Sequence, residues 1–364
     1  MSENTARITS IDALRAVVLL GILLVHIVGL FGFHNPNNSF SYFTSIDWRS
    51  LSLIELILTG RCNIVFSILF GVSFHLILKN PQYSSLKFVW RCFLLLVLGV
   101  FIKFFYTFDA LMWYGIMGII LVLFRKAKPL ILFLSFSIAF LLSIYLAKYS
   151  LGNMLLGATA INRYVSTDSI AQVVSYPIVY SVADYLRIVL NGGILRTLSY
   201  FILGCFFAKA GFVDNISRYS NFKSVSLVAL LYLPLFVIYY VADYNQSIVK
   251  AFMYLFGGLF YTILFLFLYY KCSRYISFSW LESYGKLGLT NYCMQNICGV
   301  IFMSTLFIPY QFQFTTILCC SLIFYLLQIA FSVIWLRYYK YGPFEWCWRC
   351  LTNMKYVSNR RLLK

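Results

Sequence analysis

Residues 12–33 read DALRAVVLLGILLVHIVGLFGF, and this stretch decides the class of fold. After Arg15 the only ionisable side chain in it is His26. The apolar residues run continuously and do not alternate, which is the pattern of a membrane-spanning helix and not of a barrel strand. The stretch is too long for the apolar part of a signal peptide and lacks a small-residue cleavage site, so it is expected to stay as the first span.

The rest of the chain repeats the pattern. Of 364 residues, 62% are hydrophobic and 11% charged, and mean hydropathy is +0.83. So little charge cannot cover the surface of a soluble protein, which normally carries about 25%. A soluble enzyme, a disordered chain and a nucleic-acid binder are therefore excluded, despite a net charge of +18. The expected fold is all-α: one polytopic bundle over residues 1–364, with about ten spans of roughly 20 residues. They are placed at 12–33, 53–78, 86–106, 108–124, 129–147, 187–210, 225–242, 249–270, 285–307 and 314–336. The longest polar break is about 148–186, and a short basic tail occupies about 337–364. No internal repeat stands out. The cysteines lie mostly in apolar stretches without a CxxC pair, as expected of reduced, buried thiols.

Lysine and arginine orient the bundle. With ten spans, 21 fall on the side of the N-terminus and seven on the other, with Arg61 left inside a span. Cytoplasmic loops collect these residues. Both termini are therefore expected in the cytoplasm of a multi-pass protein of the bacterial inner membrane.

Ionisable groups inside a membrane are costly and mark candidate sites. Asp12 and Arg15, three apart, are neighbours on one helix. Eleven residues separate Arg15 from His26, about 16 Å of rise and close to three turns. One face thus carries a cation near the cytoplasm and an imidazole in the outer half. Neutral imidazole is the usual base near neutral pH. His34, in the following loop, is a second base candidate, whereas His75 reads as interfacial. Arg61, about eight residues into the second span, lies at a depth similar to that of His26, and the two are expected to meet. Glu55 and Asp109 are its candidate partners. Asp109 also suits the N-terminus of the fourth span, where an acid caps the helix. Asn291 and Gln295 share a face and suit either helix packing or an acceptor. No Walker A, GxSxG, HExxH or dinucleotide turn occurs, and no metal is expected.

Four stretches, taken in order, carry a resemblance. They are Arg7–Arg15, Gly60–Gly71 (GRCNIVFSILFG), residues 285–292 (GKLGLTNY) with Gln295, and residues 342–349 (GPFEWCWR). Together they resemble the YeiB-like family of bacterial inner-membrane proteins, a domain of unknown function. That family is grouped with the transmembrane acyltransferases, among them heparan-α-glucosaminide N-acetyltransferase and the polysaccharide O-acetyltransferases. The resemblance implies acetyl transfer from cytoplasmic acetyl-CoA to a saccharide or surface glycan across the membrane. Arg15 and His26 look like the Arg and His of the O-acetyltransferases. His26 stands where YeiB-like proteins more often carry Asn, Arg61 where they often carry Lys, and Ala16 where Gly is usual.

On this reading Arg15, with Asp12 beside it, holds the donor's phosphates. His26 is the base and Arg61 the oxyanion partner, while His34, Asp109, Asn291 and Gln295 lie toward the acceptor. The expected partners are membrane lipids and the acceptor glycan, with a homodimer open to it and no nucleic acid. The alternative is a transporter or lipid-handling protein that moves an anionic solute without chemistry.

Overall fold

The computed structural model describes residues 8–30, 42–80, 83–103, 109–149, 154, 182–240, 247–302 and 310–361. Among the described residues every element is helical, apart from an isolated bridge between Tyr339 and Arg360. In chain order they are α1 (Thr9–Leu30), α2 (Ser45–Ile57), α3 (Arg61–Leu78), α4 (Ser85–Lys103) and α5 (Leu111–Leu121), which tightens into a 3₁₀ turn at Val122–Phe124. Then come α6 (Pro129–Tyr149), α7 (Val182–Leu190), α8 (Gly193–Lys209), α9 (Ile216–Tyr219) and α10 (Phe222–Tyr240). The last are α11 (Ser247–Cys272), α12 (Ser279–Lys286), α13 (Gly288–Phe302), α14 (Phe314–Tyr338) and α15 (Pro343–Asn353).

Among the described residues, seven helical stretches are long and apolar enough to cross a membrane: Thr9–Gly29, Ser45–Leu78, Ser85–Lys103, Pro129–Tyr149, Phe222–Tyr240, Ser247–Cys272 and Phe314–Tyr338. This is the architecture of a multi-pass helix bundle. The other three expected spans also fall on helices, but shorter ones: Leu111–Phe124, Gly193–Lys209 and Gly288–Phe302.

One apolar cluster runs from Ile11 to Ile329 and draws on α1, α3, α5, α8 and α13. At its centre α3 and α8 cross with their backbones in contact. A Cβ on Gly71 would overlap the Phe201 carbonyl, and one on Gly204 the Ile68 carbonyl. By contrast α6 and α10 turn large apolar side chains outward, among them Leu134, Ile138, Leu141, Leu227, Leu230 and Leu233. Lipid tails cover such a face at no cost, where water would not.

The second expected span is not one continuous helix. It breaks at Leu58–Gly60, and Gly60, in the left-handed region at φ 77°, precedes the first residue of α3. A residue with a Cβ is strained in that conformation, and a Cβ here would also meet the Tyr254 ring. The break starts a new helix at Arg61 and resets the direction of every side chain after it.

Candidate functional site

Asp109 closes the N-terminus of α5: its Oδ2 accepts from the Leu111 amide at 2.8 Å. Its Oδ1 accepts from the Tyr292 hydroxyl at 2.7 Å and from Asn296 Nδ2 at 3.3 Å. Tyr292 and Asn296 are four apart on α13 and so share a face. Asn296 Oδ1 then lies 2.9 Å from His26 Nδ1. A carboxylate only accepts, so Asn296 must turn its amine to Asp109 and its carbonyl to the ring. That carbonyl needs a donor. Nδ1 of His26 therefore carries the hydrogen, and Nε2 keeps the lone pair. The ring also meets Tyr292 edge-on, centroids 6.1 Å apart.

His26 and Tyr292 border a cavity of about 10 Å³, with Asn63, Phe66 and Tyr114 also in its wall. That is room for about one water. Ser67 and Tyr114 exchange a hydrogen bond beside it at 2.9 Å. Asn296, Tyr292, Asn63 and Tyr114 are the residues that sequence reasoning did not single out.

Arg61 does not join this group. The same helix turns Asn63 and Phe66 to the His26 cavity, but Arg61 points the other way, into α10 and α11. Its guanidinium is fully buried. It lies 5.3 Å from the Tyr254 ring centroid and 5.8 Å from that of Tyr232, with Nη2 3.7 Å from Met253 Sδ. Depth arithmetic placed Arg61 and His26 at one level; the break at Gly60 sends them to different sides of α3. Glu55 and Asp109, the expected partners, do not pair with it either.

At the other end of α1, Arg15 donates to Asp12 at 2.9 Å and to Ser73 of α3 at 2.6 Å. The expected pair thus forms, with Asp12 buried. Beyond Ser73 opens a larger cavity of about 230 Å³, lined by His75, Lys79, Arg125, Lys126 and Lys209 among apolar residues. Lys209 donates to the Arg125 and Ala127 carbonyls at 3.1 and 2.6 Å, so its charge sits on the turn that ends α5. Between the two cavities stand Phe70, Tyr114 and Phe201. Phe70 and Phe201 stack with centroids 4.6 Å apart, and Tyr114 meets Phe201 edge-on at 4.8 Å.

Asn291 and Gln295 are placed in helix packing and not at a cavity. Asn291 Nδ2 donates to the Tyr284 carbonyl and to Ser332; Gln295 Nε2 donates to the Tyr284 hydroxyl and to Gln328. His34 and most of the 148–186 segment lie outside the described residues.

The tail motif folds as α15. There the Glu345 carboxylate accepts from the amides of Leu289 and Thr290 at 2.7 and 3.0 Å and from the Thr290 hydroxyl, closing the N-terminus of α13. Burial pushes the Glu345 carboxyl above its ordinary value, against the pull of these hydrogen bonds. By its composition the tail reads as an aromatic belt; its position adds a helix cap.

Residues 207–355 match the family described as "Protein of unknown function (DUF418)". An uncharacterized 39.9 kDa protein encoded in the amylase 3' region of Bacillus acidopullulyticus is 26% identical over 96% of this chain and 95% of its own length. The uncharacterized protein YxaH of Bacillus subtilis (strain 168) is 26% identical over the same shares of the two chains. The uncharacterized protein YeiB of Escherichia coli (strain K12) is 44% identical over 69 residues, 19% of this chain and 18% of its own. No solved structure matches. These likenesses support a YeiB-like uncharacterised family.

Proposed function

We propose that the chain is a membrane-embedded acyltransferase that moves an acetyl group from cytoplasmic acetyl-CoA to a saccharide or similar acceptor at the outer face of a bacterial inner membrane. The observation that carries this reading is the link Asp109–Asn296–His26. It orients a neutral imidazole with the hydrogen on Nδ1 and the lone pair on Nε2, in a membrane interior where such a group is costly to keep. A general base needs that tautomer.

The chemistry follows from that nitrogen. Nε2 takes the proton of an acceptor hydroxyl as its oxygen attacks the thioester carbonyl. The carbon–oxygen bond forms, the carbon–sulfur bond breaks, and the departing thiolate takes the proton back from the imidazolium. A positioned base of this kind contributes about 10²–10⁴ in rate. The donor's phosphates suit the basic cavity of His75, Lys79, Arg125, Lys126 and Lys209 by charge-assisted hydrogen bonds, with Arg15 tied to α3 through Ser73, one residue before the cavity's first lining residue, Phe74. Phe70, Tyr114 and Phe201 then mark where the acyl arm must pass.

The test is acetyl transfer or hydrolysis from radiolabelled acetyl-CoA by the purified protein and by His26→Asn. Asn at 26 keeps a donor for the Asn296 carbonyl but takes no proton at neutral pH. Loss of turnover with an unchanged unfolding temperature supports the base; normal turnover in His26→Asn ends this reading.

A further inference from the structure

The Arg61 guanidinium is fully buried, and among the described residues no carboxylate lies within ion-pairing distance of it. An arginine cannot shed its charge in such a place, and an unpaired buried charge is among the costliest arrangements a protein can hold. Its Nη1 donates to the Thr59 carbonyl at 3.2 Å, its Nη2 reaches the Met253 sulfur, and the Tyr240 hydroxyl is a further, uncharged hydrogen-bond partner. Arg61 Nε and the neighbouring Thr59 hydroxyl are both buried without a hydrogen-bond partner.

A second cation points to the same place. Lys250 Nζ lies 5.8 Å from the centroid of the Tyr254 ring, against which Arg61 also rests. Lys250, Tyr254 and Gly257 follow one another on one face of α11, from its first turns inward. Gly257 is where the guanidinium abuts that helix: a Cβ there would stand 3.0 Å from Arg61 Nε. Two cations at one ring in a low dielectric call for a counter-charge, and Glu55, which also acts on Tyr254, lies within ion-pairing distance of neither. The tyrosines soften the charge through their faces but do not neutralise it.

We infer that the Arg61–Lys250–Tyr254 cluster between α3, α10 and α11 is a binding site for a tetrahedral oxyanion of the phosphate type. Arg61 supplies the planar fork that suits phosphate oxygens, Lys250 a second point charge nearer the start of α11, and the Thr59 hydroxyl a further donor. The anion reaches it as free phosphate from the aqueous side or as the phosphodiester of a lipid, since α10 faces the bilayer. The site is separate from the His26 cavity, and its occupancy is read without acetyl-CoA. A failed transfer assay and a failed binding assay therefore remain distinct results.

The test is thermal unfolding of the purified full chain in a neutral detergent. It is titrated in separate arms with inorganic phosphate, phosphatidylglycerol and, for comparison, phosphatidylcholine. A ligand that binds only the folded state raises the midpoint. The expected result is a rise with phosphate or phosphatidylglycerol and none with phosphatidylcholine. Response to phosphate identifies an aqueous source; response to phosphatidylglycerol alone identifies a lipid. Lys250→Gln, at a half-buried position, should need about tenfold more of the same probe, the loss of one charge-assisted contact. Arg61→Met should lose the response and, without ligand, unfold no earlier than the wild type, because an uncompensated buried charge has been removed. No response to either anionic probe, an equal response to phosphatidylcholine, or an unchanged titration in Lys250→Gln overturns the site.

Discussion

Asn296 donates to Asp109 at 3.3 Å, and that bond turns the amide carbonyl toward His26, which favours the hydrogen on Nδ1. The amide is polarised from one end by a buried acid and presents its carbonyl to the ring at the other. Replacing it with an apolar residue of similar size leaves the acid with one donor fewer and releases the ring to either tautomer. Asn296→Leu should lower acetyl transfer by about 10²–10⁴, as loss of the base itself would. It should cost about 1–3 kcal/mol of stability for the donor lost to the acid and the acceptor lost to the ring N–H. Steady-state kinetics beside denaturant unfolding measure both. A variant that loses only stability speaks for a packing role.

Arg15 and the cations of the larger cavity should separate in a binding experiment. Arg15 donates to the buried Asp12, so Arg15→Ala removes one charge-assisted bond from that carboxylate and should destabilise the protein by about 1–3 kcal/mol. Lys126 lines the cavity wall and is exposed. Lys126→Gln is therefore expected to leave stability unchanged, within about 0.5 kcal/mol, and to weaken CoA binding severalfold, with a flatter dependence on salt. Calorimetry at two ionic strengths checks this. Unchanged affinity in Lys126→Gln would take that side chain out of the donor site.

The Glu345 cap gives stability a pH dependence of known sign. Its folded carboxyl titrates above the ordinary value of 4.5. Between the two values the folded state binds more protons than the unfolded one, so stability falls as pH rises through that window. Glu345→Gln lacks the titration. The wild type should therefore lose unfolding temperature relative to Glu345→Gln as pH rises from about 4.5. Glu345→Ala, which leaves the Leu289 and Thr290 amides without their acceptor, should be the least stable of the three at every pH.

The orientation has its own check. A reporter active only outside the cytoplasm should work when fused after Asp168 and be silent after Arg218, as the distribution of basic residues requires. The reverse pattern would put the basic cavity on the outer face and remove acetyl-CoA as its ligand.

Much of the bundle was readable from local pattern, and the exceptions have physical causes. Continuous apolar runs placed a helix at each of the ten expected positions, and the three-residue spacing of Asp12 and Arg15 foretold their ion pair. Asp109 caps a helix as its position suggested. Arg61 shows where such reading stops: rise per residue fixes the level of a side chain, but its direction depends on whether the helix is continuous, and Gly60 interrupts it. Asn296 was hidden beside Gln295. Adjacent residues on a helix point about 100° apart, so one amide serves the packing network and its neighbour the His26 ring. Glu345 escaped because its partners lie 55 and 56 residues earlier in the chain, and no local pattern encodes that.

The crossing of α3 and α8 acts as a fulcrum. With Gly71 and Gly204 letting backbone rest on backbone, these two helices cannot slide past each other without a clash, so Phe70 and Phe201 keep their stations. Tyr114 is the third member of the aromatic barrier, and it rides on α5, which is pressed just as closely onto α4 where Gly99 and Gly115 meet its neighbour's backbone. On the proposed acyl-transfer reading, α4 and α5 would move as one lever to part the rings. Asp109, just before α5, would ride on that lever. Swinging it aside to let a substrate through would pull the acid from Asn296, so passage and an armed base would be exclusive strokes of one cycle.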